Sequence, residues 1–153
     1  MLKSIGVSIV AVGLMSAATA SAQNFSFEAK RTDITRLGGV GPQGDLYTGA
    51  HWSGTYTATF DGEKPQKGTF ECAATAQPPS LFRLHTACTM TQEDGSFTSA
   101  WGCNPLNKDG SEMSCVGSLH GRSGRFENLR GGASNHVKGA VSDGVGQFFE
   151  IGK

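Results

Sequence analysis

The chain has no excess of charge of either sign. Its 13 Lys and Arg balance 13 Asp and Glu, and no long run of one sign breaks the mixture. Such a surface offers no electrostatic footprint for nucleic acid or for an anionic membrane. Long hydrophobic runs are missing too. The one sustained stretch, Ile5 to Met15, falls short of the ~20 apolar residues that a bilayer-spanning helix needs. After Gln23 no useful length of helical periodicity occurs. The cysteines form no CxxC or CxxH pair, which argues against a zinc site or a dithiol redox centre. His51, His85, His120 and His136 form no HExxH motif and no i, i+4 pair. There is no GxSxG elbow, and the carboxylates fall mostly in turns without an evident partner. The sequence therefore assigns no catalytic residue, no metal and no cofactor.

What is present begins at the N-terminus. Lys3, the apolar run Ile5 to Met15 and the small-residue triplet Ala20-Ser21-Ala22 have the anatomy of a secretory signal cleaved after Ala22. The expectation is an exported, periplasmic or secreted protein of bacterial type. Residues 1–22 are the signal and 23–153 a single domain, with no membrane insertion once the signal is removed.

Glycine supplies 22 of the 153 residues without a Gly-X-Y period, so it punctuates short runs rather than building a collagen-like repeat. Those runs alternate with period two. NFSFEAKRT (24–32) puts Phe25, Phe27 and Ala29 on one face, and HWSGTYTATF (51–60) does the same with Trp52, Gly54, Tyr56, Ala58 and Phe60. GTFECAATA, LFRLHTACTMT, SFTSAWGC and EMSCVGSLHG follow, separated by turn-rich breaks, and the C-terminal part holds two or three more strands. About eight strands at this spacing make an all-β fold, either a sandwich or an up-and-down barrel. DITRLGGVGPQGDLYTGA (33–50) lacks the alternation and reads as a long glycine-rich loop or a short strand inside a loop.

Cys72, Cys88, Cys103 and Cys115 all fall on the apolar face of their strands. Residues equidistant from a hairpin centre face each other, at Cβ separations near those a disulfide requires. Cys72 and Cys88 are centred on Ser80, and Cys103 and Cys115 on Asp109 in the NKDG turn. Cys88 and Cys103 are likewise centred near Gly95, which would set all four cysteines at one height. An exported chain oxidises such cysteines. The expected staples are Cys72–Cys88 and Cys103–Cys115, with Cys88–Cys103 as the rival pairing.

GRSGRFENLRGG (121–132) lacks the GK[ST] ending of a phosphate loop and reads as a tight turn. Within SLHGRSGRFENLRGGASNHVKG, however, Gly121, Gly124, Arg125, Phe126, Arg130 and Gly131 stand where the GGTGRFxxARGxG signature of the allene oxide cyclase-like and dirigent-like β-barrels has its invariant-type positions. Ser123 replaces the usual threonine and Leu129 the usual alanine. The resemblance covers about a fifth of the chain beyond the signal. It implies a small antiparallel eight-stranded up-and-down barrel, here disulfide-stapled, with an apolar interior. Some members of that group cyclise a fatty-acid epoxide, some guide phenoxy-radical coupling, and many bacterial exported relatives have no assigned role. No catalytic residue of the plant enzymes is carried over to this chain.

Three readings of function remain. The barrel holds a small apolar or amphipathic ligand, lined by Tyr56, Phe70, Phe82, Leu84, Phe97, Trp101, Met113 and Leu119. It is an isomerase or cyclase of the allene oxide cyclase type. Or it binds or inhibits an envelope component through the 33–50 loop, with Leu37, Val40, Tyr47, His51 and Trp52 as contacts. So many large side chains in a small barrel favour a filled interior over a hollow one.

Overall fold

The computed structural model describes residues 22–40, 46–76 and 81–151. All but the last residue of the expected signal segment lies outside the described residues. Eight strands follow one another: β1 (Gln23–Val40), β2 (Leu46–Phe60), β3 (Gln66–Ala76), β4 (Leu84–Gln92), β5 (Gly95–Pro105), β6 (Glu112–Gly124), β7 (Leu129–Lys138) and β8 (Val141–Glu150). Each pairs antiparallel with its sequence neighbour, and β8 returns to β1 from Gln23↔Phe148 to Lys30↔Val141, closing the barrel. Closure leaves no unpaired edge within the ring.

Period-two alternation sorts the side chains. In β3, Phe70, Cys72 and Ala74 are buried while their neighbours are exposed. The glycines serve this packing. A Cβ on Gly54, Gly68, Gly117 or Gly144 would run into the ring of Phe70, Tyr56, Trp101 or Phe27 respectively. Large rings thus pack against bare backbone of the adjoining strand, the alternation of small and large residues that a narrow barrel demands.

Both expected disulfides are present. Cys72 pairs with Cys88 across β3 and β4 and Cys103 with Cys115 across β5 and β6, in each case between directly opposed residues. The common height is not. The β4–β5 turn consists of Glu93 and Asp94, so Cys88 opposes Ser99 and Cys103 opposes Leu84. The two staples are offset by that register, part of the stagger a closed barrel needs.

The 33–50 segment is also corrected. Its described residues are strand, with the β1–β2 ladder running unbroken in pairing from Asp33↔Ser53 to Val40↔Leu46 and including Tyr47 opposite Gly39. Residues 35–39 are exposed, Leu37 to 73%, with Arg36 still at the edge of the interior. A run such as 35–39 with no buried face carries no amphipathic signal, although its backbone hydrogen bonds still fix it as strand.

Candidate functional site: a barrel hollow at one end

The two ends of the interior differ. At the end carrying the β2–β3, β4–β5 and β6–β7 turns, Phe25, Phe60, Phe97, Phe126 and Phe148 form a continuous ring cluster. Its centroid separations include 4.9 Å for Phe97–Phe126 and 5.3 Å for Phe126–Phe148. Phe60, Phe126 and Phe148 are fully buried. Tyr56 joins them, its hydroxyl donating to Gln92 Oε1 at 2.9 Å, while the Gln92 amide donates to Asp94. Burial, and secondarily the Asp94 charge, pushes the Tyr56 phenol well above its ordinary value. It stays a neutral donor.

Arg125 closes this floor from outside. Its guanidinium donates two bonds to Glu63, at 2.6 and 2.7 Å, and one to Asp94 at 3.2 Å. It also lies 4.6 Å over the Phe60 ring and 5.7 Å from that of Phe126. The Arg125 hydrogen bonds hold the Glu63 carboxyl below the usual carboxylate range. The surrounding glycines are required by the turn. Gly124 adopts φ = +62° beside the Asp94 carbonyl, and a Cβ on Gly121 would strike the Phe126 carbonyl. Gly131 leaves room for Leu119 and the Gln147 carbonyl, and Arg130 bonds the Leu129 carbonyl at 3.0 Å. The GRSGRF motif thus builds the plug.

At the opposite end the barrel is hollow. Phe27 and Trp101 approach across the interior, with centroids 6.3 Å apart, and above them opens a cavity of about 500 Å³. That volume lies within the usual range of small-molecule sites. Trp52, Phe70, Met90, Leu84, Met113 and Val137 line it, together with both disulfides. The expected preference for a filled interior therefore holds at one end only.

A β-bulge shapes the mouth. The β1–β2 register shifts between Arg31 and Asp33, with Thr32 as the extra residue. The shift lets Arg31, Ile34 and Arg36 all contribute to the cavity wall, which uninterrupted alternation would not allow. Neutral polar groups on the wall are Thr86, Asn135 and Ser142. Trp101 satisfies its own indole N–H by donating to Ser99 Oγ at 2.8 Å. Asn135 Oδ1, by contrast, is buried without any hydrogen-bond partner.

The eight expected lining residues divide accordingly. Phe70, Leu84, Trp101 and Met113 line the hollow, whereas Tyr56, Phe97 and Leu119 belong to the packed part. Phe82 is a correction: it precedes β4, so strand parity does not apply to it. Its ring packs outside the barrel over Gly102 and edge-on to His85, at 5.8 Å. Trp52, which alternation groups with Tyr56 and Phe60 and the loop reading offers as a surface contact, faces the cavity. Arg31, Ile34, Arg36, Asn135 and Val137 were not legible as lining. For Asn135 and Val137 the alternation in β7 is the signal that could have found them.

The outer face holds His136 between Glu112 (3.4 Å) and Asp143 (3.8 Å), with Lys138 bonded to Glu112 at 3.0 Å. Lys138, and then His136, keep the Glu112 carboxyl below its ordinary range. No group of three or more metal-ligating side chains occurs among the described residues, and no described helix is long and apolar enough to cross a membrane. Two disulfides fit an oxidising compartment.

No family model matches the sequence, and no curated protein does. Among solved structures, the fold is similar to that of a nonspecific heme-binding cyclase that catalyses a [4 + 2] cycloaddition during neoabyssomicin biosynthesis. The TM-score is 0.58 at 10% identity, over 89% of this chain and 70% of that one. The likeness is one of fold: this chain shares a barrel architecture with a cyclase.

Proposed function

We propose that this protein is an exported binding barrel that holds one small apolar or amphipathic molecule in the hollow end of its interior. The observation that carries the reading is the division of the barrel. An aromatic plug seals one end, and a cavity of about 500 Å³ with aromatic and sulfur-rich walls lies at the other. Small barrels of eight strands commonly hold a single ligand in such a space. The signal-like N-terminus and the disulfides support export.

The test is native mass spectrometry of the protein purified from its own exported compartment without detergent. A small-molecule mass that is carried by the folded protein and released on unfolding supports the reading. A ligand-free mass, together with failure of small apolar probes to bind, contradicts it.

A second reading, a cyclase or isomerase, draws on the GRSGRF resemblance and on the structural neighbour, itself a cyclase. The wall offers shape, two guanidinium groups and neutral polar groups. Arginine remains protonated, so neither guanidinium can act as a base. The chemistry best suited to such a wall is a rearrangement steered by shape. A cyclisation conserves mass, so chromatographic comparison of the molecule added with the molecule recovered separates turnover from binding.

A further inference from the structure

Resting on the binding reading, we infer that the occupant is a ring-bearing organic acid with a hydroxyl group: its rings fill the aromatic base, its hydroxyl meets Asn135, and its acid group lies at Arg31 and Arg36.

Three features of the wall lead there. The first is charge. Among the described residues Arg31 and Arg36 are the ionisable side chains lining the cavity, and both come from the bulged part of β1 at the mouth. Arg31 spends one N–H on the Gly139 carbonyl at 3.3 Å, and neither guanidinium is ion-paired with a carboxylate among the described residues. Two guanidinium groups without an ion pair among the described residues, at the edge of an apolar hollow, favour an anion, and their planar donors match a carboxylate or sulfonate. The second is the body. Phe27, Trp52, Phe70 and Trp101 put four aromatic side chains on the wall of the hollow, which favours rings over a flexible chain. The third is the orphaned Asn135 Oδ1. Buried amide oxygens are ordinarily satisfied, and one that is not marks a place where a partner belongs. Asn135 pairs with Cys115 in the β6–β7 ladder, on a different strand from the arginines. A hydroxyl suits it because it can serve either end of the amide.

The test uses probes that share one ring system. N-phenyl-1-naphthylamine is neutral, and 8-anilinonaphthalene-1-sulfonate adds the anion. Fluorescence titrations of the mature, oxidised protein should show the sulfonate binding about tenfold more tightly, the size of a favourable charge-assisted contact. That preference should shrink as salt rises from low to high concentration, and the double substitution Arg31→Gln, Arg36→Gln should bring the affinity ratio of the two probes close to one. The salt series in the unaltered protein gives an answer even if the variant folds poorly. For the hydroxyl, 2-naphthoate is compared with hydroxynaphthoates substituted at successive ring positions, as competitors of the neutral probe. At least one should compete more strongly than the parent acid, and Asn135→Leu should remove that advantage.

Equal affinities for the two probes, or a sulfonate preference indifferent to salt and to both arginines, overturns the acid assignment while leaving the cavity intact. No advantage for any hydroxynaphthoate overturns the role of Asn135. If neither probe binds, it is the binding reading itself that fails.

Discussion

At the floor of the barrel, rings from β1, β2, β5, β8 and the β6–β7 turn meet in a solid cluster beneath the Arg125–Glu63 clasp. At the mouth, the wall surrounds open space and is held by two covalent staples between neighbouring strands. Both ends belong to the same eight strands and the same hydrogen-bonded ladders. The difference lies in what fills the interior, so stability and binding should respond to different residues. A floor built of close-packed rings has no slack, whereas a mouth tied by disulfides can keep its shape around a void.

The sharpest way to break this comparison is truncation at each end. Phe126→Ala removes a fully buried ring from the plug and should cost about 3–5 kcal/mol in urea unfolding. Met113→Ala, which already faces the hollow, should cost within about 1–2 kcal/mol. Equal costs would mean the mouth is packed like the floor.

The next largest effect should come from the staples. Replacing Cys103 and Cys115 by Ser should destabilise the protein by about 2–4 kcal/mol. It should also weaken binding of the neutral probe, because that pair lines the cavity. Undiminished probe binding would show that the mouth keeps its shape without it.

Filling the void gives a smaller stability change and a larger functional one. Ala50→Leu places a longer side chain in the cavity wall and should shift stability by no more than about 1–2 kcal/mol in either direction while reducing probe affinity. Large destabilisation would mean there is no free volume beside Ala50.

The smallest effect concerns the clasp. Glu63 has its carboxyl held down by Arg125, so its contribution is fully present above the ordinary carboxylate value of about 4.3 and is lost as pH falls through that value toward the folded one. Melting curves between pH 6 and 3 should therefore fall less steeply for Glu63→Gln than for the unaltered chain. The clasp is partly solvated, which keeps the difference modest. Parallel curves would remove the clasp from the account of the floor.

Much of the architecture was legible because burial and alternation coincide. Phe70, Cys72 and Ala74, or Trp52 through Phe60, announce an inner face, and symmetric hairpins then place Cys72 opposite Cys88 and Cys103 opposite Cys115. Where alternation loses its physical cause, the reading failed. Residues 33–40 and 46–50 pair as a hairpin in which 35–39 are exposed, and the Thr32 bulge that turns Ile34 and Arg36 to the wall has no pattern of its own. Strand parity does not reach Phe82, which precedes β4. The hollow was illegible for another reason: whether inward rings pack solidly or leave space depends on the stagger of strands around the barrel, set by tight turns such as Glu93-Asp94 and by bulges. The GRSGRF turn stands at the end away from the cavity. A conspicuous motif here marks the plug, and the quieter NHVKG stretch carries Asn135 and Val137.

The most direct measurement of the central claim is a crystal structure under xenon pressure, since dry apolar cavities take up xenon while close-packed regions do not. The account predicts xenon above the Phe27–Trp101 pair and none among Phe25, Phe60, Phe97, Phe126 and Phe148. A mouth half without xenon, its side chains collapsed across the hollow, would contradict it.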